Sequence, residues 1–327
     1  MEIPITQSEM WRKLQDDLNE KSDFEVTKDY QYLAITKPTP VGNYLYLPYG
    51  PVADTAESFK RALESLTSLP SAKKAMFIRI EPRSTLAAEI LAHRANYRQG
   101  TTVSQTAGSR SFTFPPAVKE VKKTKDLNPK ESWLLDLTGN DEQLKSRLPS
   151  RLLRYYRNMA KHGITIEKSH TPSDIHYLLD LQKALAAKKR ISTFSAHYLE
   201  TELSQPCATL YLAKQDAEVL AAGLVFDDKT TRYNLQGAQS DAGRRLHATG
   251  ILTIQLILDA REKGLQTFDF WGIAPEGAPD NHPWAGFTAF KKNFLGYEQD
   301  YAGTYDLVLS PLRYRLYTLL RKIRRLI

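Results

Sequence analysis

Two adjacent lysines in an aromatic setting are the residues of this chain best suited to carry chemistry. Lys291 and Lys292 lie among Phe287, Phe290 and Phe294, after a long loop rich in glycine and proline. A cation on an apolar surface is costly without a partner, so a bound anion or a developing negative charge is expected beside it. Long loops between apolar elements are typical of segments that cover a site. The segment therefore predicts an active site; the alternative is surface lysines whose stems cover the aromatic rings.

A carboxylate at the end of a predicted strand is the second candidate. Glu81 directly follows the apolar run Ala75–Ile80, and the sites of α/β proteins gather at strand ends. A carboxylate there could take a proton from an attacking ammonium group as a general base. The alternative, which the sequence favours, is a structural ion pair with Arg79 or Arg83.

A loop before a strongly apolar helix supplies candidate phosphate ligands. It carries Gly243, Arg244 and Arg245, and backbone amides at the start of a helix bind phosphate groups. A plain turn with solvated arginines explains the pattern equally well.

A basic stripe is predicted on one helix over residues 141–162. Its cations recur at helical spacing and could follow an RNA backbone, although a solvated face is the favoured alternative. They are Arg147, Arg151, Arg154 and Lys161.

Segments along nearly the whole chain resemble, in their order and spacing, the FemABX peptidyltransferases. These enzymes use aminoacyl-tRNA to add amino acids to the stem peptide of peptidoglycan precursors. The segments that carry the resemblance are TQSEMW (6–11), YLPYGPV (46–52), FIRIEP (77–82), LLDLTGNDEQL (134–144), FDFWGI (268–273), FKKNF (290–294) and YDLVLSP (305–311).

The resemblance implies roles for individual residues. Lys291, the lysine after Phe290, would bind the end of the acyl donor and stabilise the transition state, and Phe290 would be a substrate-binding residue beside it. Glu81 stands where one branch of the family has an aspartate considered as a general base.

Family members that bind a nucleotide-linked precursor anchor it with a lysine and an arginine. The nearest residues here are Lys13, just after the first matching segment, and Arg190, which precedes the matching tyrosine Tyr198. Neither stands at the aligned position, so nucleotide-linked and lipid-linked acceptors both stay open.

The composition bounds the class of protein. A length of 327 residues favours two domains. The single cysteine, Cys207, excludes a disulfide framework within one chain, and the seven histidines show no ligand spacing, so no metal is expected. The sequence has no Walker loop and no intact dinucleotide fingerprint, and no bound cofactor is expected. The net charge of +8 favours polyanionic partners: nucleic acid, phosphorylated metabolites or an anionic membrane face. Without a signal-peptide pattern or a membrane-span pattern, a cytoplasmic protein is expected, with peripheral contact at the inner membrane face.

Strands alternating with helices predict an α/β fold, and the second half has the element order of a GNAT-type acyltransferase domain. The resemblance to the FemABX family implies that the first half is a degenerate copy, which gives two GNAT-like domains with a cleft between them. Domain 1 would comprise residues 1–130 and 302–327, and domain 2 residues 131–301, with residues 109–130 as the connection. The helix predicted over 311–327 would return to domain 1 and pack on it through its apolar stripe. That stripe consists of Leu312, Leu316, Leu319, Ile323 and Leu326.

The resemblance therefore implies transfer of an amino acid of the glycine, alanine or serine class from aminoacyl-tRNA to an amine of a peptidoglycan precursor. Two alternatives stay open. One is an N-acyltransferase of the same fold that uses acyl-CoA and a small amine. The other is a non-catalytic module that binds anionic lipid or nucleic acid.

Overall fold

The chain divides into two compact units, each built around its own β-sheet. Unit 1 comprises Met1–Lys130 and Asp300–Ile327, and unit 2 comprises Glu131–Gln299. The computed structural model describes residues 2–97, 112–189 and 193–323. Both units pack helices against mixed sheets, which confirms the predicted α/β class. None of the helices in the described ranges has the length and apolar character needed to span a bilayer.

Strands from both ends of the chain form the sheet of unit 1. They are β1 (Ser22–Val26), β2 (Tyr30–Thr39), β3 (Gly42–Leu47), β4 (Val52–Ala53), β5 (Ala75–Ile80), β6 (Glu120–Lys123) and β14 (Tyr305–Val308). Their order is β1-β2-β3-β5-β14-β6, with β4 paired to β2. Strands β3 and β5 are parallel, whereas β14 runs antiparallel to both β5 and β6. A buried ion pair joins Arg79 of β5 to Asp306 of β14, 227 positions apart, through bonds of 2.7 and 2.8 Å.

The helices of unit 1 cover this sheet. They are α1 (Glu9–Asp17), α2 (Ala56–Ser68), α3 (Pro70–Lys74), α4 (Thr85–Tyr97) and α12 (Pro311–Ile323), with a 3₁₀ turn at Ile5–Gln7. A capping box between Thr55 and Ser58 starts α2. Phe59, Leu63 and Leu66 then recur at spacings of four and three, and all three are buried in the core.

The sheet of unit 2 carries the predicted site segment. Its strands are β7 (Glu131–Asp136), β8 (Ile164–Ser169), β9 (Ala208–Gln215), β10 (Glu218–Asp227), β11 (Thr231–Gln239), β12 (Thr267–Gly272) and β13 (Tyr297–Asp300). Their order is β13-β7-β12-β11-β10-β9-β8. Strands β9, β10 and β11 form an antiparallel meander, and β12 then adds parallel to β11.

The helices of unit 2 surround α10, which is buried on most sides. They are α5 (Asp141–Arg147), α6 (Ser150–Arg157), α7 (Ile175–Lys189), α8 (Ala196–Leu203), α9 (Asp241–Arg245), α10 (Ala248–Glu262) and α11 (Ala285–Lys292), with 3₁₀ turns at Met159–His162 and Pro172–Asp174. Ile251, Ile254 and Ile257 of α10 are all buried in the core, as expected for a helix that is apolar all round.

The single helix predicted over residues 141–162 is wrong. The chain forms α5, then α6, then a 3₁₀ turn, and Pro149 stands between the two helices as the N-cap of α6. The residue before a proline is disfavoured in helical conformation, and Leu148 is accordingly extended. The predicted basic stripe is therefore divided between three elements.

The connection predicted over residues 109–130 contributes a strand to unit 1. This strand, β6, lies at Glu120–Lys123 and pairs with β14 at the edge of the sheet. Phe112 packs against the core of unit 1. Lysines on an edge strand discourage pairing with other chains, which is why this sequence resembles a linker.

The C-terminal helix packs on unit 1, but through the opposite face from the one predicted. Tyr314 is buried, and its ring and that of Tyr317 contact Phe77 of β5 at centroid distances of 5.2 and 5.1 Å. The predicted apolar stripe is exposed instead: Leu312 80%, Leu316 48%, Leu319 55% and Ile323 43%. The prediction that this stripe docks on the domain is therefore wrong for these four residues, and Leu326 lies outside the described residues.

Candidate active site

A strained turn at the end of β12 organises the site. Trp271 has φ of +65°, a left-handed conformation that is rare for a bulky side chain. Its N–H donates to Oδ1 of Asp269 at 2.7 Å, and the hydroxyl of Ser132 donates to the same oxygen at 2.5 Å. Asp269 is 1% exposed, so these bonds fix a buried carboxylate beneath the turn. The β12–β7 register shifts between Asp269 and Gly272, where the strand departs from regular pairing.

This turn presents two carbonyl oxygens to Lys291. Its Nζ donates to Gly272 O at 2.6 Å and to Trp271 O at 3.2 Å. Burial lowers the pKa of Lys291 to about 8, while the negative charge of Asp269 acts in the opposite direction. An ammonium has three N–H donors, so one is left over from these two bonds within the described structure. Lys291 is thus a fixed cation, mostly charged at neutral pH, with a donor available to a ligand.

Two contacts hold helix α11, and with it Lys291, in place. The Ala274 N–H donates to Oγ1 of Thr288 at 2.8 Å, which ties the preceding loop to the helix. Phe290 packs edge-on against Phe294 at 5.7 Å, and Phe294 lies fully buried in the core. The predicted substrate-binding residue Phe290 thus anchors the helix that carries Lys291.

The neighbouring lysine is placed differently. Lys292 is exposed, forms an ion pair with Glu298 at 3.1 Å and lies 5.3 Å from the ring of Trp133. It offers a matched control for experiments on Lys291.

Glu81 is surrounded by donors. Its Oε1 accepts from Thr304 Oγ1 at 2.6 Å and from the backbone amides of Leu127 and Asn128 at 3.2 and 3.3 Å. Its Oε2 accepts from Tyr46 OH and Asn128 Nδ2, both at 2.8 Å. The carboxylate, 3% exposed, thereby ties Leu127 and Asn128 to the end of β5. A role as general base stays a prediction, and it would require some of these bonds to be exchanged for the substrate amine.

The arginines considered as partners for that carboxylate have other contacts. Arg79 binds Asp306 through two bonds. The guanidinium of Arg83 lies 4.7 Å from the ring centres of both Tyr49 and Tyr301.

The predicted phosphate loop has its glycine engaged in packing. The Gly243 amide donates to Ser240 Oγ at 3.0 Å, and a Cβ at this position would lie 2.1 Å from Leu220 O. Close approach to β10 therefore explains the glycine. Arg244 and Arg245 are exposed, and phosphate binding by this loop stays a prediction.

A basic and aromatic surface lies where α6 meets the start of α10. The guanidinium groups of Arg151 and Arg154 lie 5.5 and 5.9 Å from the centre of the Tyr155 ring, which stacks on His247 at 4.4 Å. Arg147, predicted in the same stripe, instead binds groups within unit 2. It binds the carbonyls of Asp136 and Thr138 and pairs with the Asp136 carboxylate.

The predicted acceptor anchors lie on both units. Lys13 is exposed on α1 of unit 1 and pairs with Asp17 at 2.7 Å. Tyr198 on α8 of unit 2 is half-buried and stacks on Phe194 at 5.0 Å. Arg190 lies outside the described residues. The roles of all three in binding stay predictions.

The structure brings together groups that the sequence analysis did not single out. Asp269, Ser132 and Trp271 form the support beneath Lys291. An acidic residue between Phe268 and Phe270 in an apolar strand was the available signal. Among the described residues, no group of three or more histidine, cysteine, aspartate or glutamate side chains could hold a metal ion.

Comparisons with known proteins define the family. The FemAB family model matches residues 5–205 and 200–322, so the chain belongs to the FemAB family and is a transferase. No curated protein matches the chain.

Solved structures share its fold across nearly the whole length. The crystal structure of FemX matches with a TM-score of 0.74 and 18% identity over 96% of this chain and 94% of that one. The C-terminal DUF2156 domain of a putative lysylphosphatidylglycerol synthetase from Agrobacterium fabrum matches with a TM-score of 0.57 and 16% identity. The match covers 96% of this chain and 92% of that domain. The structure of L-PGS from Bacillus licheniformis matches with a TM-score of 0.54 and 13% identity over 99% of both chains. The predicted class with two GNAT-like domains is confirmed.

Proposed function

We propose that this protein transfers an amino acid from aminoacyl-tRNA to an amine of a peptidoglycan precursor stem peptide and so builds an interpeptide bridge. The observation that carries the proposal is the half-buried ammonium of Lys291, held by two carbonyls in the segment that resembles the FemABX site. Membership of the FemAB family supports it.

The transfer is an aminolysis of an activated ester. The acceptor amine attacks the ester carbonyl, a tetrahedral intermediate forms, and its collapse releases the ribose hydroxyl of the tRNA. Negative charge develops on the carbonyl oxygen, and the remaining N–H of Lys291 would stabilise it as an oxyanion donor. Because the ester is already activated, positioning and this charge stabilisation suffice without a bound cofactor. The attacking amine must lose a proton, and Glu81 stays the proposed acceptor for it.

The donor tRNA fits the exposed cations of unit 2. Arg151 and Arg154 would contact phosphates while Tyr155 and His247 offer flat rings for stacking. The amino acid would be of the glycine, alanine or serine class. The precursor would be bound with help from Lys13, Arg190 and Tyr198, and the reaction would take place in the cytoplasm or at the inner membrane face.

Incubation with a mixed pool of charged tRNAs and purified precursors, nucleotide-linked and lipid-linked, tests the proposal by the mass shift of the acceptor. Lys291→Ala should reduce turnover roughly a hundredfold or more, as expected on removing one oxyanion donor, and should leave acceptor binding nearly unchanged. Lys292→Ala should have a much milder effect.

Equal activity of Lys291→Ala and wild type would refute the assignment of Lys291. Equal losses for the two lysine variants would indicate a general electrostatic patch. Consumption of acyl-CoA with no requirement for tRNA would replace the proposal by the N-acyltransferase alternative.

A further inference from the structure

The outward face of α12 is an apolar ridge. Leu312, Leu316, Leu319 and Ile323 follow at spacings of four, three and four, so they lie on one side of the helix. All four are exposed. We call these residues the α12 ridge.

The orientation of the helix is fixed from its other side. Tyr314 OH donates to Asp306 Oδ2 at 2.9 Å, and Asp306 is itself held by Arg79. Tyr317 contacts Tyr44 and Phe77 with ring centres 6.2 and 5.1 Å apart. Turning the ridge inward would break this network and leave a buried charge with fewer partners, which is costly.

Cations flank the ridge on both sides. Arg315 and Lys322, which are exposed, lie along one flank of the helix. Arg313 lies along the other and donates to the carbonyl of Lys74 at 3.2 Å, which brings the basic end of α3 to the same region. The sequence from Leu307 to Ile327 contains no acidic residue.

We propose that α12 is an interfacial helix that lays its ridge into the surface of an anionic lipid bilayer. An exposed apolar face bordered by cations is the pattern of helices that lie in the membrane plane, with the apolar side chains in the acyl boundary and the cations at the headgroups. A helix of 13 residues is about 20 Å long, too short to cross the hydrocarbon core.

The two other classes of partner fit less well. A nucleic acid would satisfy the cations, but it offers nothing apolar to the leucines. A second copy of the chain would cover the ridge, but a two-fold interface there would place cationic flanks from both copies in one contact, with no acid on either helix. An anionic bilayer satisfies both the apolar ridge and its charges.

Vesicle binding tests this surface without tRNA or precursor, so its outcome is independent of the proposed transfer reaction. The intact protein should co-sediment with vesicles of phosphatidylglycerol and phosphatidylcholine, and much less with phosphatidylcholine alone. Leu316→Ser combined with Leu319→Ser should weaken binding at least tenfold.

Two further variants separate the contributions. Arg315→Gln with Lys322→Gln should weaken binding roughly tenfold and flatten its salt dependence, because each cation near an anionic surface contributes a few-fold in affinity. Val26→Ser is the matched control: Val26 is 59% exposed on β1, outside the ridge, and its loss should leave binding unchanged. Thermal unfolding of each variant verifies the fold.

Failure of wild type to bind anionic vesicles would overturn the proposal, as would wild-type binding by the double leucine variant. If ultracentrifugation showed a wild-type dimer that this variant converts to a monomer, while neither binds vesicles, the ridge would be a subunit interface and the proposal would be wrong.

Discussion

Removing the charge of Asp269 while keeping its shape should shift the pH range in which the site works. Asp269→Asn retains an oxygen that can accept from Trp271 N and Ser132 Oγ, so the strained turn should survive. The negative charge that raises the pKa of Lys291 is lost, and that pKa should fall below its present value of about 8. A nearby opposite charge typically shifts a pKa by about one unit or more, or ~1.4 kcal/mol.

The magnitude follows from the charged fraction of Lys291. At pH 7.5 a pKa of about 8 leaves roughly three quarters of the lysine protonated, and a fall of one unit leaves roughly one quarter. If the ammonium is the working form, turnover at pH 7.5 should drop about threefold and much less at pH 6.5. The alkaline limb of the kcat/KM profile should move down by about one pH unit.

Two measurements check this prediction. One is the pH–rate profile of the transfer reaction, and the other is the pKa of Lys291 itself, followed by NMR of its ¹³C-dimethylated amine in the free protein. Glu298→Gln, the same acid-to-amide change beside Lys292, is the control and should leave both curves in place. An unmoved alkaline limb together with a Lys291 pKa near the ordinary value would refute the reasoning.

Three further predictions concern stability and reactivity. The folded state lowers the pKa of Lys291, so the unfolded state binds more protons than the folded state between about pH 8 and 10.5. The unfolding free energy of wild type, measured relative to that of Lys291→Met by denaturant titration, should therefore rise by up to ~3 kcal/mol from pH 8 to 10.5. A difference that stays constant with pH would contradict the lowered pKa. Gly243→Ala should destabilise unit 2 by about 2 kcal/mol or more, because the added Cβ would meet Leu220 O, and an unchanged melting temperature would show that the backbone yields there. Partial burial raises the pKa of Cys207 to about 11, so a thiol reagent at pH 8 should label the folded protein much more slowly than the unfolded protein; equal labelling rates in the two states would refute the raised pKa.

The positions of strands and helices were easier to predict from the sequence than the face of each element that is buried. The strand predicted at Ala75–Ile80 has the same bounds in the structure. The aromatic setting made Lys291 a candidate, and the resemblance of FKKNF to the FemABX motif favoured it over a surface lysine; its catalytic role stays a prediction. Asp269 could not be assigned, because its role depends on the conformation of Trp271, which an alternating strand pattern does not reveal.

The C-terminal helix shows why apolar periodicity alone was misleading. Its leucines form the more regular stripe, but the tyrosines are buried because Tyr314 supplies a hydroxyl to Asp306 as well as an apolar ring. A hydrogen bond to a charged, buried group contributes more than neutral pairs do, and only the three-dimensional pairing of β14 with β5 places that group there.

The position of β14 between β5 and β6 has a consequence for how the chain is made. The sheet of unit 1 cannot close until Tyr305–Val308 has been synthesised, and in the order of synthesis this segment follows all of Glu131–Gln299. During synthesis, unit 2 can fold as a continuous segment. Until β14 is available, the edges of β5 and β6 that pair with it stay unpaired, and unpaired strand edges are prone to aggregation. A chain truncated after residue 299 should therefore yield a folded unit 2 attached to an unfolded or chaperone-bound N-terminal segment. Contacts spanning more than 200 positions would then make the closing of unit 1 the slow final step of folding.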